Sequence, residues 1–188
     1  SDEAGLRQSA LETGLSRHLA EAHGHVVRSM PARVMETTPY RHDFHGKRVL
    51  FNELAPPETR VFALGKIVAD LRLRDEINEI IAATALREPA SEAMLRTTLT
   101  SYFAAALMMP YARFTEAALE TRHDIDILQA RFGASFEQVA HRLTTLQRPG
   151  TRALPFFLLR MDAAGNVSKR FSAGGFSFSR YGGACPAW

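Results

Sequence analysis

The chain predicts an α+β fold: a helical body with a mixed or antiparallel sheet built from N- and C-terminal hairpins. Three observations lead there. Segments with helical periodicity fill the middle of the sequence. Two hairpin patterns flank them, one before residue 52 and one after residue 153. Between them lies the most apolar stretch, residues 100–110, Thr-Ser-Tyr-Phe-Ala-Ala-Ala-Leu-Met-Met-Pro, which reads as a buried helix stopped by Pro110. The length of 188 residues suits one sizeable domain, or a domain with a small appendage.

Taken in order, residues 3–23 carry Leu6, Ala10, Leu15, Leu19 and Ala22 at roughly helical spacing, with Gly24 as the stop. Val26 and Val27 suggest a short strand, and residues 30–39 read as loop. Residues 41–44 and 47–51 read as a hairpin turning at His45-Gly46. Pro57 suits the first position of a helix over 59–74. Helical patterns continue over 75–86, restart at Ser91-Glu92 after Pro89, and resume over 114–123. In the 100–110 helix, Phe103, Ala106, Leu107 and Pro110 mark the expected core face, with Tyr102 on an adjacent stripe. Its three alanines let another backbone come close. Residues 124–147 have a helix-turn-helix rhythm, with Gly133 at a left-handed turn and Ser135 as an N-cap. The texture then changes. Residues 154–161 and 167–171 read as a hairpin around Asp162–Asn166, and 176–180 as a further strand.

A charge of +3 is mildly basic; it suits an anionic ligand and demands none. A single cysteine, Cys185, excludes an internal disulfide and fits a reducing, cytoplasmic setting. No segment reads as a signal peptide or a membrane span, so no membrane partner is expected. Both ends look cut, as if from a larger protein.

Candidate chemistry is sparse. His23-x-His25 could supply two metal ligands, but nothing supporting lies at a suitable spacing, and an exposed strand face is the plainer reading. His42, Asp43 and His45 suit a solvated turn. Ser135, Gln138, His141 and Arg142 could face a DNA groove, although the helix carrying them needs its apolar residues for packing. The basic residues say more. Lys47 and Arg48 sit on the first hairpin, and Arg148, Arg152, Arg160, Lys169, Arg170 and Arg180 on or near the last. If both hairpins join one sheet, they form a cationic rim beside an apolar interior, suited to a ligand with phosphates at one end.

Residues 60–70, Arg-Val-Phe-Ala-Leu-Gly-Lys-Ile-Val-Ala-Asp, resemble the metal-binding helix of ImmA/IrrE-class metallopeptidase-like domains, in which Arg-x-Phe-x-Leu-Ala precedes His-Glu-x-x-His. Residues 101–110 resemble a later helix of that class. The His-Glu-x-x-His frame falls here on Lys66, Ile67, Val68, Ala69 and Asp70, so both histidines and the glutamate are absent. Without them zinc has no ligands and water no base. The resemblance therefore implies a degenerate frame and no peptidase activity.

Three further runs resemble the short-chain fatty acyl transcriptional regulators: residues 136–150, residues 162–170 with Pro155-Phe-Phe before them, and residues 178–188, Phe-Ser-Arg-Tyr-Gly-Gly-Ala-Cys-Pro-Ala-Trp. That family controls propionate (methylcitrate-cycle), glyoxylate and acetate genes. The resemblance implies that residues 1–188 form a sensor domain for coenzyme A or a short-chain acyl-CoA such as propionyl-CoA. It implies DNA contact through an N-terminal domain preceding Ser1, and self-assembly as a tetramer. It also implies a [4Fe-4S] cluster in a cysteine-rich segment, with Cys185 as its first ligand. One thiolate cannot hold a cluster that takes about four. Position and charge make Lys66, Tyr102, Lys47, Arg48, Arg152, Lys169 and Arg170 the expected ligand contacts. An oligomerisation module without a ligand, or a residual hydrolase, are the other readings.

Overall fold

The computed structural model describes residues 2–172. The expected strand at 176–180 and Cys185 lie outside the described residues. The chain forms two compact units, Ser1–Phe136 and Glu137–Trp188, and the architecture is α+β.

The first unit opens with α1 (Asp2–His23), which buries Leu15 and Leu19 and leaves Leu6 exposed. It ends at Gly24, whose φ of +67° is the left-handed geometry that glycine adopts without strain. A mixed sheet follows, made of β1 (Val26–Met30), β2 (Tyr40–Asp43) and β3 (Arg48–Asn52) in the order β1-β3-β2. β2 and β3 form the expected antiparallel hairpin, while β1 runs parallel to β3. The expected loop after β1 contains a short helix, α2 (Ala32–Met35), which buries Met35. β3 is the central strand and buries Val49 and Phe51.

Pro57 starts α3 (Pro57–Arg72) at its first turn. α4 (Arg74–Ala82) follows, and α5 (Pro89–Met108) begins at Pro89 itself rather than after it. α6 (Tyr111–Glu120) and α7 (Ile125–Phe132) complete the unit. Asp124 caps α7 by accepting from the Ile127 amide at 3.0 Å, and Gly133 ends it at φ +59°.

α3 and α5 make the most extensive helix pairing. They meet at Gly65, where a Cβ would stand 3.1 Å from Ala104 Cβ and 3.2 Å from Ala104 Cα. The close approach expected of the alanine run is therefore real. The expected core face is not. α5 buries Thr100, Ala104, Ala105 and Met108, while Phe103, Ala106 and Leu107 are half-buried and Pro110 is exposed. The small side chains occupy the seam because only they allow the backbones so close.

Arg60 binds this unit together. Its guanidinium meets the Glu12 carboxylate of α1 at 2.6 Å, donates to Ser29 Oγ of β1 at 3.0 Å, and lies 4.9 Å over the Phe51 ring of β3.

The second unit contains α8 (Phe136–Thr144) beyond its first residue, then β4 (Phe157–Met161) and β5 (Val167–Ser172). β4 and β5 form an antiparallel hairpin as expected. Its turn is held by Asp162, which accepts from the Ala164 and Asn166 amides at 2.9 Å. Among the described residues this hairpin is a sheet of its own. The single sheet drawn from both ends of the chain is thus corrected to two, because the first hairpin takes β1 as its third strand.

Candidate functional site

A cavity of about 190 Å³ opens between α3, α5 and β2. α3 contributes Lys66, Ile67 and Asp70 to its wall. Lys66 and Asp70 stand one helical turn apart, so they share a face of α3. β2 contributes Tyr40 and His42, two residues apart in a strand and so also on one face. α5 contributes Arg96, Thr97 and Thr100.

The charges are not equivalent. Asp70 is held by two guanidinia, that of Arg96 at 3.5 Å and that of Arg74 at 3.8 Å. Arg96 also donates to Asn78 of α4. Lys66 is half-buried, and among the described residues its ammonium makes no ion pair or hydrogen bond. Burial lowers its pKa from the ordinary lysine value. Burial also raises the Tyr40 pKa, which keeps the phenol protonated.

A histidine pair backs the cavity. His25 is only 2% exposed, and its Nε2 lies 3.2 Å from His42 Nε2. Its Nδ1 lies 3.2 Å from the His23 carbonyl oxygen, which can only accept. So His25 Nδ1 donates, His25 Nε2 accepts, and His42 Nε2 donates to it. His42 Nδ1 is left with a lone pair. Burial lowers the His42 pKa, and His25 lowers it further. His25 is therefore a buried partner of His42, not the exposed strand residue expected; it precedes β1 and packs inward. Among the described residues, no cluster of three or more His, Cys, Asp or Glu is placed to hold a metal ion.

Residues 20–144 match the IrrE N-terminal-like domain, which spans this cavity and both helices that frame it. The chain belongs to the IrrE N-terminal-like family. Residues 145–188 match the C-terminal region of the short-chain fatty acyl coenzyme A regulators. The second match is confined to those C-terminal residues, and within the first the peptidase frame is degenerate at Lys66 and Asp70.

Its relatives carry regulators' names. It is 43% identical over 143 residues to the propionyl-CoA carboxylase regulator of Cereibacter sphaeroides, covering 76% of this chain and 31% of that protein. It is 38% identical over 186 residues to the HTH-type transcriptional regulator PrpR of Mycobacterium tuberculosis, covering 99% and 38%. The HTH-type transcriptional regulator RamB of the same species is 37% identical over 183 residues, covering 97% and 38%. The chain spans about a third of the length of these relatives. A solved structure titled Mycobacterium tuberculosis transcriptional regulator superposes with a TM-score of 0.87 at 37% identity, covering 100% of this chain and 56% of that one.

The expected contact residues of this IrrE-like chain are divided between the two units. Lys66 lines the cavity. Tyr102 is 47% exposed on α5 and is not part of the wall, where Thr97 and Thr100 stand instead. Lys47 and Arg48 lie together at the β2–β3 turn, and Arg48 pairs in register with Val26 and Asp43. Arg152, Lys169 and Arg170 belong to the second unit and are exposed. There Lys169 pairs with Glu137, which also takes Arg160 at 3.0 Å. The Lys169 hydrogen bond is the main cause holding the Glu137 carboxyl below its ordinary range. His141 lies 4.1 Å from the Phe171 ring. Arg142 is 1% exposed, so it cannot reach a DNA phosphate; that part of the groove reading is corrected.

Two features of the cavity escaped the sequence. Tyr40 and His42 enter it from a strand distant in the chain, and Arg96 reaches across from α5. No local pattern marks either; only the pairing of β2 with β3 brings the first two there.

Proposed function

We propose that this chain is the ligand-sensing and self-assembly domain of a transcriptional regulator of propionate or acetate metabolism, and that it binds coenzyme A or a short-chain acyl-CoA. The observation that carries this reading is the degenerate cleft. At the frame positions of a metal site stand Lys66, whose ammonium has no counter-ion among the described residues, and Asp70, which is neutralised by Arg96 and Arg74. A lysine against a small cavity suits an acyl carbonyl or a phosphate oxygen rather than a metal ion. The name of one relative, propionyl-CoA carboxylase regulator, points to control of propionyl-CoA metabolism.

At about 190 Å³ the cavity takes an acyl arm and not a whole nucleotide. The nucleotide end would lie outside it, against cations of the first unit such as Lys47 and Arg48. Ligand binding alters gene control by favouring one state of the assembled regulator, which requires different affinities for two states. DNA contact, the tetramer and the [4Fe-4S] cluster belong to the longer protein; a single cysteine does not furnish a cluster's ligands.

Calorimetry on the full-length regulator with propionyl-CoA, coenzyme A and free propionate tests this. Propionyl-CoA is expected to bind most tightly, and Lys66→Ala to weaken it. Absence of heat from all three ligands would leave an assembly module without a ligand.

A further inference from the structure

Lys66 has a chemistry that equilibrium binding does not use. The sequence has three lysines, and their surroundings differ. Lys47 is exposed at the β2–β3 turn, and Lys169 is ion-paired with Glu137. Lys66 lines the α3–α5 cavity, and among the described residues it has no acid or carbonyl to hold its proton. The carboxylate one turn away, Asp70, faces Arg96 and Arg74 instead. The other titratable groups of the wall, Tyr40 and His42, supply no negative charge, because the phenol stays protonated and the imidazole neutral at pH 7. Burial without a counter-ion favours the neutral amine over the ammonium, and the neutral amine is the nucleophile.

We propose that Lys66 is a covalent acylation site, whose Nζ attacks the carbonyl carbon of a short-chain acyl thioester held in the cleft. A C–N bond forms and the C–S bond breaks. The thiolate leaves, and the proton lost by the nitrogen goes to it. The products are a neutral amide on Lys66 and a free thiol, with no oxidant or reductant involved. The amide removes the buried charge and keeps the acyl group in the cavity after the thiol has gone. A passing thioester concentration is thereby recorded on the protein. The proposal rests on the cleft receiving the acyl end of the ligand.

The test incubates the full-length regulator with propionyl-CoA and with the small thioester S-propionyl-N-acetylcysteamine, then maps the acylated lysines by mass spectrometry. Lys66 is expected to react at least about tenfold faster than Lys47 or Lys169, because the cleft holds the thioester beside it while the other two meet it only by collision. Protein unfolded in urea is expected to lose that preference. Equal labelling of the three lysines in the folded protein, or faster labelling of Lys47, overturns the proposal. Lys66→Arg is expected to remove the adduct while keeping the positive charge. Calorimetry with the non-transferring thioether S-propyl-CoA separates this from the binding reading. Heat from the thioether without Lys66 labelling keeps the sensor and ends acylation. Selective Lys66 labelling by the small thioester, without heat from the thioether, does the reverse.

Discussion

The α3–α5 cleft of the first unit and the hairpin of the second treat a lysine in opposite ways. Lys169 stands in solvent and shares Glu137 with Arg160. Lys66 is drawn into a wall it shares with Tyr40, His42, Thr97 and Thr100, and Asp70, its neighbour at one helical turn, is turned to two arginines. The first arrangement is worth little, because exposed ion pairs gain about as much as they lose in side-chain entropy and screening. The second costs stability, because a charge is partly desolvated with nothing opposite it. A cost retained in a cavity points to use, and a gain near zero on a surface does not.

The seam that creates the cleft gives the largest expected effect. Gly65→Val inserts a side chain where a Cβ already meets Ala104 at 3.1 Å, against backbone as well as side chain. It should destabilise the first unit by about 2–3 kcal/mol, read from urea unfolding. An unchanged midpoint would show that α3 and α5 can separate cheaply. The lysines come next. Lys66→Met should be neutral or stabilising by up to about 1 kcal/mol at pH 7, a figure already reduced for partial exposure. Lys169→Met should change stability by less than about 0.5 kcal/mol. The Lys66 pKa is lower in the folded state, so the unfolded chain binds more protons and wild-type stability rises with pH up to about 10.5. The advantage of Lys66→Met should therefore shrink over that range.

The smallest expected effect concerns acid. His42 is lowered from 6.5 by burial, so the folded form loses stability as pH falls below that value. His141 in the second unit moves in the same direction. Glu137 is lowered from 4.5, and its contribution is lost only as pH falls below that value, through its folded pKa. His42→Asn should flatten the first window and Glu137→Gln the second, each by a few tenths of a kcal/mol after solvent screening. Coincident windows for the two variants would remove this contrast between the imidazole of the first unit and the carboxylate of the second.

Much of the fold was legible because punctuation is local. Pro57, Gly24 and Gly133 each sit where their backbone preferences place a helix end. The buried face of α5 was not legible, because Ala, Leu, Phe and Met surround that helix on every side and periodicity cannot choose among them. The parallel β1–β3 pairing was hidden for a different reason: the strands are distant in the chain and no turn fixes their register. Lys66 and Asp70 were readable as a pair from the frame they interrupt. Arg96, Tyr40 and His42 were not, since each depends on a tertiary contact.

The Asp70–Arg96 pair has a mechanical consequence. In a metallopeptidase frame, a metal ion would clamp the ligand-bearing helices and hold their spacing. Here one ionic contact at 3.5 Å, about a third exposed on each side, joins α3 to α5 at that place. Such a link is weakened by salt and can be exchanged for another anion that reaches Arg96. At this edge the packed α3–α5 seam is bridged by a reversible latch rather than a weld, one that yields to any carboxylate or phosphate that competes with Asp70.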